Sequence, residues 1–334
     1  MNIVYTFDEG YARIASVSIL SLLESNIEAS ELNIIIVDCG LSEKSISQLT
    51  SLTNSFNRSI KFVNGKNMEN KIPIELELSY WSFVCYVRLF FPELLSQYDR
   101  VLHIDCDTLI KGSLEDVYKV NLNSNIICAA CYDCLPTAKY QSGMSKEDAY
   151  FSSGIILFDL NAMREEDIQQ KFIDYIVDQK GKLPHLDQDV LNVVLKDRIT
   201  LLPANYNLMT QNVVFKESSC DFFVEEPYYT KSEIKQALED PIMIHLVGYK
   251  YVSKPWSQPC YNPFNKDWIS YYKKLSFDDG ELLKYKPKKF GILREIVCWF
   301  WNIGLHIPLI KDIEFHFEKK RIRNKCDILS GELK

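Results

Sequence analysis

Two carboxylates one residue apart, Asp105 and Asp107, follow the apolar run Val101-Leu102-His103-Ile104. On a turn just past a strand, such a pair can converge on one divalent cation. Hard oxygen ligands suit Mg²⁺ or Mn²⁺, and an ion held this way grips substrate phosphates rather than filling an all-protein cage. Asp-x-Asp also arises by chance, and its plain alternative is a solvated turn with one capping Asp. The company it keeps argues for chemistry. Tyr150-Phe151-Ser152-Ser153-Gly154 offers a small-residue turn before an apolar strand, with hydroxyls able to hold a sugar. Leu186-Asp187-Gln188-Asp189 puts two acids and an amide at a helix start. His245-Leu246-Val247-Gly248 follows another apolar strand, and Lys254-Pro255-Trp256 comes soon after. A neutral imidazole at His245 completes a metal site. A lysine is a compact cation for a departing phosphate. A core histidine, a helix cap and a surface lysine would explain each alone, but not their joint occurrence in this order.

The elements that must carry these residues are legible as alternating strands and helices. Asn2–Phe7 and Leu32–Asp38 read as buried strands, and 60–64 as a third. Residues 11–25, 42–56 and 82–97 have helical spacing, and Arg100–Ile104 is a further strand. This order predicts a parallel α/β sheet of Rossmann type. Ligands in such sheets bind beyond the carboxyl ends of the strands, where Asp8, Asp38 and Asp105 fall. Farther on, strands are expected in 126–133, 154–160 and 242–248, with helices near 166–180 and 187–197.

Taken together, these motifs resemble glycosyltransferase family 8, the retaining nucleotide-sugar transferases, over roughly residues 1–270. The likeness rests on Asp8 and Tyr11, Arg88 within Tyr86-Val87-Arg88-Leu89, Asp105/Asp107, the Tyr-Phe-x-x-Gly turn, Asp187-Gln188-Asp189, and His245-x-x-Gly248 with Lys254-Pro255-Trp256. The bacterial galactosyltransferase branch is most similar, including its basic, aromatic tail. The resemblance implies a GT-A fold over 1–275, a UDP-sugar donor, and Mn²⁺, with Mg²⁺ as the alternative. Asp105, Asp107 and His245 would ligate the metal. Thr6, Asp8 and the Cys106 backbone would line the uridine and ribose pocket. Arg88 and Asp105, with Ser152 and Ser153 beside them, would contact the donor sugar. Gly248 and a lysine would hold the diphosphate. Asp187 and Gln188 would face the anomeric carbon, with Asp187 or Asp189 orienting the amide.

The chain departs from the family in two places. Ser152-Ser153-Gly154 replaces the common Asn-Ala-Gly or Asn-Ser-Gly. Lys-Pro-Trp comes three residues late, which leaves Lys250 as a second choice for the diphosphate lysine. Galactose and glucose stay open as the donor sugar. Gln188 is too weak a nucleophile for a covalent route, so same-face attack is expected. On the acceptor side, Asp133 and residues 206–215 are candidates, with a loop or lid as the alternative.

Other readings of the chain are weaker. Phosphatases with an Asp nucleophile place a Thr two residues beyond the second Asp; here Thr108 comes at once. Sugar-nucleotide pyrophosphorylases open with a Gly-rich basic loop, which Asp8-Glu9-Gly10-Tyr11 is not. An inactive UDP-binding scaffold is disfavoured because every ligand residue is present. Cys128-x-x-Cys131-x-x-Cys134 lacks the fourth ligand of an iron–sulfur run, and Cys in an apolar strand commonly packs as a small hydrophobe.

The 334 residues carry 47% hydrophobic and 25% charged side chains, which excludes disordered, collagen-like and coiled-coil classes. Net charge is −7, unevenly spread: residues 284–334 hold twelve Lys/Arg against six Asp/Glu. The acidic remainder is a poor partner for nucleic acid. The ten cysteines, with no basic and apolar leader at the N-terminus, fit free thiols in a reducing compartment. Residues 276–334 read as a separate tail. Ile296–Ile310 is too short and polar to span a bilayer. Its flanking lysines and Trp299, Phe300 and Trp301 suit an anionic membrane surface. The alternative is a helix packed on the body. A cytoplasmic transferase at the inner face of a bacterial membrane, acting on a saccharide or lipid-linked saccharide, is the expectation.

Overall fold

The computed structural model describes residues 1–78, 81–123, 125–223, 228–249, 252–257, 260, 262–275, 296, 299–300 and 308–331. Strands β1 (Asn2–Phe7), β2 (Asn33–Asp38) and β3 (Ser59–Asn64) pair in parallel, and β1 also pairs in parallel with β4 (Arg100–Ile104). Alternate residues of these strands enter opposite cores. Ile3, Tyr5 and Ile34 face one side, and Val4, Ile35 and Val37 the other. A strand covered on both faces must be apolar throughout, which is why these runs carry no polar/apolar alternation.

The expected parallel sheet is corrected beyond β4. There β7 (Phe151–Asp159) inserts antiparallel between β4 and β6 (Cys128–Tyr132), and β8 (Ile199–Leu201) closes the edge parallel to β6. The large sheet therefore has the order β3-β2-β1-β4-β7-β6-β8 and is mixed. A second, three-stranded sheet joins β5 (Thr108–Ile110), β10 (Met243–His245) and β9 (Leu208–Met209) in the order β5-β10-β9.

Helix α1 (Ala12–Ser25) lies against both sheets' first strands and is buried almost all round, as its composition of Ile, Leu, Val, Ala and Ser allows. Helix α2 (Glu43–Ser55) starts at Ser42, whose hydroxyl accepts from Ser45 N. Residues 82–97 are mainly a 3-10 helix, Phe83–Phe90, continued by one α turn. The helix expected over 82–97 is thus present, wound mainly as 3-10, and it carries the buried Arg88. Helices α3 (Ile168–Asp178) and α4 (Asp187–Val194) fall where expected. A long C-terminal helix spans Pro308–Leu329. No described helix is long and apolar enough to cross a membrane. Most of the segment 276–307, including Trp301, lies outside the described residues.

Candidate active site

The Asp105-Cys106-Asp107 turn is the seam between the two sheets, leaving β4 in one and entering β5 in the other. Three bonds fix it. Asp105 N donates to Gly154 O (2.9 Å), Leu246 N donates to Asp107 O (2.8 Å), and Thr108 Oγ1 donates to Asp105 O (2.9 Å). His245 ends β10 directly opposite Thr108 in the ladder, so strand register alone brings it to the carboxylates. Its Nε2 lies 3.3 Å from Asp107 Oδ1 and 3.7 Å from Asp105 Oδ2. Among the described residues this is the one group of three acidic, histidine or cysteine side chains able to share an ion, with ligand atoms within 4.8 Å of one another.

The donor set fits a divalent cation. Asn207 Oδ1 lies 3.1 Å from His245 Nδ1 and accepts its proton, which turns Nε2 toward the carboxylates. Lys254 Nζ pairs with Asp107 Oδ2, so a positive charge is already required there. Burial works against ionising Asp105 and Asp107, yet both are held far below the usual carboxylate range. Arg88 does this first for Asp105, and Lys254 and then His245 for Asp107. Behind Asp105, burial and Arg88 lower His103 to about 4, and its neutral ring sits 3.2 Å from Asp105 Oδ1.

Arg88 is buried and ties the site together. Its Nη2 lies 2.9 Å from Asp105 Oδ1 and its Nε 3.1 Å from Asp187 Oδ2. Nη1 donates to Ser153 O (2.7 Å) and Nε to Cys85 O (3.2 Å). Most of the guanidinium is therefore occupied by protein groups, leaving less of it for a sugar than the resemblance implies.

Asp187 and Gln188 open α4 immediately after Leu186, whose φ of 54° lies in the left-handed region. A non-glycine residue there is strained by roughly 1–2 kcal/mol, and that strain turns the helix start toward the carboxylates. Burial pushes the Asp187 carboxyl up to about 7; Arg88 opposes this and Asp105 adds to it. Gln188 is held at both ends: Ser153 N donates to its Oε1 (2.9 Å), and its Nε2 donates to Asp133 Oδ2 (3.0 Å). The orienting acid is thus Asp133, at the end of β6, and neither Asp187 nor Asp189 has a bond to the amide among those described. Asp189 is fully buried and accepts from Ser142 Oγ (2.6 Å), Tyr150 OH (2.6 Å) and His185 N (2.7 Å). Its carboxylate is consumed in anchoring α4.

The remaining expected residues fall on or beside these elements. Thr6 Oγ1 is buried without a partner, and Cys106 Sγ lies 3.6 Å from Thr6 O. Asp8 comes directly after β1, and Tyr11 is exposed beside it. Ser152 and Ser153 are buried, and Ser152 Oγ accepts from Gly154 N (3.2 Å). The Pro-Trp pair after Lys254 anchors that lysine's backbone. Trp256 packs on Trp268 (5.5 Å), and Asn265 Nδ2 donates to Pro255 O (2.7 Å). Gly248 lies three residues past His245, and Lys250 lies outside the described residues. The cysteine run does not converge. Cys128, Cys131 and Cys134 contact Arg198 O, Pro203 O and Met209 Sδ, respectively.

Beside Gln188 and His245 is a pocket of mixed lining, with Tyr132, Asp133, Asn207, Asn212 and Tyr228 beside apolar groups such as Phe223 and Ile234. The Tyr132 and Tyr228 rings lie 4.1 Å apart, tilted by 34°. Asn207 Nδ2, Thr210 Oγ1 and Gln211 Nε2 nearby are buried without hydrogen-bond partners. Sequence reading named only Asp133 and the 206–215 stretch here. The aromatic pair had no signal, because Tyr228 reaches Tyr132 from a distant segment.

The fold is that of a GT-A glycosyltransferase. The chain belongs to glycosyl transferase family 8, whose family model matches residues 2–260. A Haemophilus influenzae protein is 27% identical over 213 residues, a match spanning 62% of this chain and 63% of that protein, just under two thirds of its length. The lipopolysaccharide 1,2-glucosyltransferase of Escherichia coli is 26% identical over 81% of this chain and 74% of its own. Among solved structures, the galactosyltransferase LgtC in complex with donor and acceptor sugar analogues superposes with a TM-score of 0.71 at 23% identity, covering 83% of this chain and 97% of that one.

Proposed function

We propose that this chain is a metal-dependent, retaining hexosyltransferase. It moves galactose or glucose from a UDP-sugar to a saccharide acceptor in the assembly of lipopolysaccharide, lipooligosaccharide or capsule. The observation that carries the reading is the convergence of Asp105, Asp107 and His245, with Lys254 on Asp107, beside the Arg88–Asp187–Gln188 cluster. The E. coli relative, named as a lipopolysaccharide glucosyltransferase, supports the substrate class.

Asp105, Asp107 and His245 would hold Mn²⁺, or Mg²⁺. A divalent ion there supplies positive charge against the two phosphates of the leaving nucleotide. Thr6, Asp8, Tyr11 and the Cys106 backbone bind the nucleoside end. Lys254 exchanges Asp107 for the diphosphate, and Gly248 admits it closely. Ser152, Ser153 and Arg88 border the sugar. As the bond from the anomeric carbon to the phosphate oxygen breaks, the ring gains positive charge. The Gln188 carbonyl, with one lone pair left after Ser153 N, faces that charge, as does Asp187. The acceptor hydroxyl attacks from the face the nucleotide leaves, and its proton passes to the departing phosphate oxygen. The pocket at Tyr132, Asp133 and Asn207 presents a stacking surface, a carboxylate and unpartnered polar groups. These suit a sugar ring with its hydroxyls.

The C-terminal helix supports a peripheral membrane role at the cytoplasmic face. Leu309, Ile313, Phe317 and Ile328 are exposed, with Leu309 at 69% and Phe317 at 70%. Helical spacing gathers them on one side, with Lys319, Lys320 and Arg323 nearby. Donor specificity is tested by product analysis with UDP-galactose and UDP-glucose. The retaining course is tested by trapping: a sugar covalently linked to Asp187 would replace same-face attack with a two-step route.

A further inference from the structure

The opposite face of the C-terminal helix is built for a different partner: the loops of the catalytic body. Ile322 and Cys326 are buried, and Phe315 packs against Phe222 at 5.1 Å. Between them lies Glu318, 2% exposed. A carboxylate buried at a docking face is costly unless each oxygen is engaged. Arg321 supplies two bonds from the same helix, 3.0 Å to Oε2 and 2.7 Å to Oε1. A further partner belongs to the active-site loop: Tyr249 OH donates to Glu318 Oε1 at 3.1 Å. Burial, with the Glu318 charge beside it, raises the Tyr249 phenol, so it stays protonated and remains the donor.

Tyr249 sits four residues after the metal ligand His245 and one after Gly248. Its backbone pairs in both directions with Val252 (3.0 and 2.7 Å), two residues before Lys254. The tyrosine therefore flanks, with Val252, the turn between His245 and Lys254, and its hydroxyl is tied to the C-terminal helix. An apolar contact would dock the helix as firmly. A buried carboxylate that also accepts from the body fixes register as well, because slippage would leave the Tyr249 hydroxyl without this acceptor.

We propose that Glu318 is a positioning residue: through Tyr249 it sets the turn that presents Gly248 and Lys254 to the donor diphosphate. The C-terminal helix then acts on donor binding with no membrane present. This rests on the function proposed above.

The test uses the full chain in membrane-free buffer with a water-soluble acceptor. Donor KM and kcat are measured, together with UDP affinity in Mn²⁺ by calorimetry. Tyr249→Phe removes only the hydroxyl, and Glu318→Leu removes the carboxylate that Tyr249 shares with Arg321. Both are expected to raise donor KM and weaken UDP binding roughly tenfold, with a smaller change in kcat. Glu318→Gln keeps a carbonyl for the hydroxyl and is expected to restore most of the affinity. The double variant Tyr249→Phe/Glu318→Leu should be no worse than either single change. Asn324→Ala, on the exposed side of the same helix, serves as the control and should match wild type. Unchanged KM and UDP affinity in both single variants, with wild type binding UDP, would overturn the positioning role alone. Absence of UDP binding in wild type would overturn the functional reading and this proposal with it.

Discussion

At Gly154 the backbone of β7 passes so close to His245 that a Cβ built there would lie 2.4 Å from its Cε1 and 2.5 Å from its Nδ1. Gly154→Ala must displace the imidazole. The expected result is Mn²⁺ binding weakened on the order of tenfold or more, as when a ligand's supporting contact is lost, in a protein that still folds. Metal titration by calorimetry checks it. Asp187 gives a prediction of opposite character. An unfolded aspartate ionises near 3.8, while burial raises this one to about 7. Between those values the folded state holds the proton more tightly, so stability present at low pH is lost as pH rises through the window. Asp187→Asn removes that loss. In chelator, the variant should be more stable than wild type at pH 8, by about 2 kcal/mol, and little different at pH 4, yet inactive in transfer. Thermal unfolding at the two pH values decides it; destabilisation at pH 8 would mean that the Arg88 pairing outweighs the burial. The candidate residues themselves were legible in the sequence because each adjoins a recognisable element. Their wiring was not legible. Nothing in the spacing says that Arg88 is spent on Asp105, Asp187 and Ser153 O, or that Asp189 anchors α4 through Ser142 and Tyr150.

At the scale of elements, the site is made by strand ends. The turn between β4 and β5 carries both carboxylates, the end of β10 brings the histidine, and the end of β6 brings Asp133 to Gln188 at the start of α4. Asp133→Asn swaps a carboxylate for an amide that cannot accept at both of its ends. Gln188 should lose its fixed orientation, so kcat is expected to fall roughly ten- to a hundredfold by misplacement, while UDP affinity stays near wild type. A steady-state and binding comparison checks this, and weakened UDP binding would move Asp133 to the donor side. The buried strands declared themselves through continuous apolar runs. The reversal at β7 did not, because a fully buried antiparallel strand is as uniformly apolar as a parallel one. The 82–97 stretch is helical as read, but apolar spacing does not separate an α-helix from a 3-10 helix.

For the whole molecule, the chain divides its charge, with an acidic body and a basic C-terminal region. The sequence left the tail with two roles, resting on lipid or packing on the body. In the described residues the final helix packs with one face, through Ile322 and Cys326, and exposes Leu309, Ile313, Phe317 and Ile328 on another. The full chain should therefore bind vesicles containing anionic phosphatidylglycerol, and release as salt rises. Basic residues near such a surface contribute about 1 kcal/mol each. Leu309→Asp/Phe317→Asp should weaken sedimentation with vesicles without altering UDP binding; unaltered sedimentation would remove the stripe from the account. The central claim remains the Asp105–Asp107–His245 site. Its most direct test is UDP release from a panel of UDP-sugars, with Mn²⁺ and with EDTA, by wild type and Asp107→Ala. The account predicts slow hydrolysis of UDP-galactose or UDP-glucose that needs the metal and disappears in the variant. Release that persists in EDTA, or that Asp107→Ala leaves intact, would contradict it.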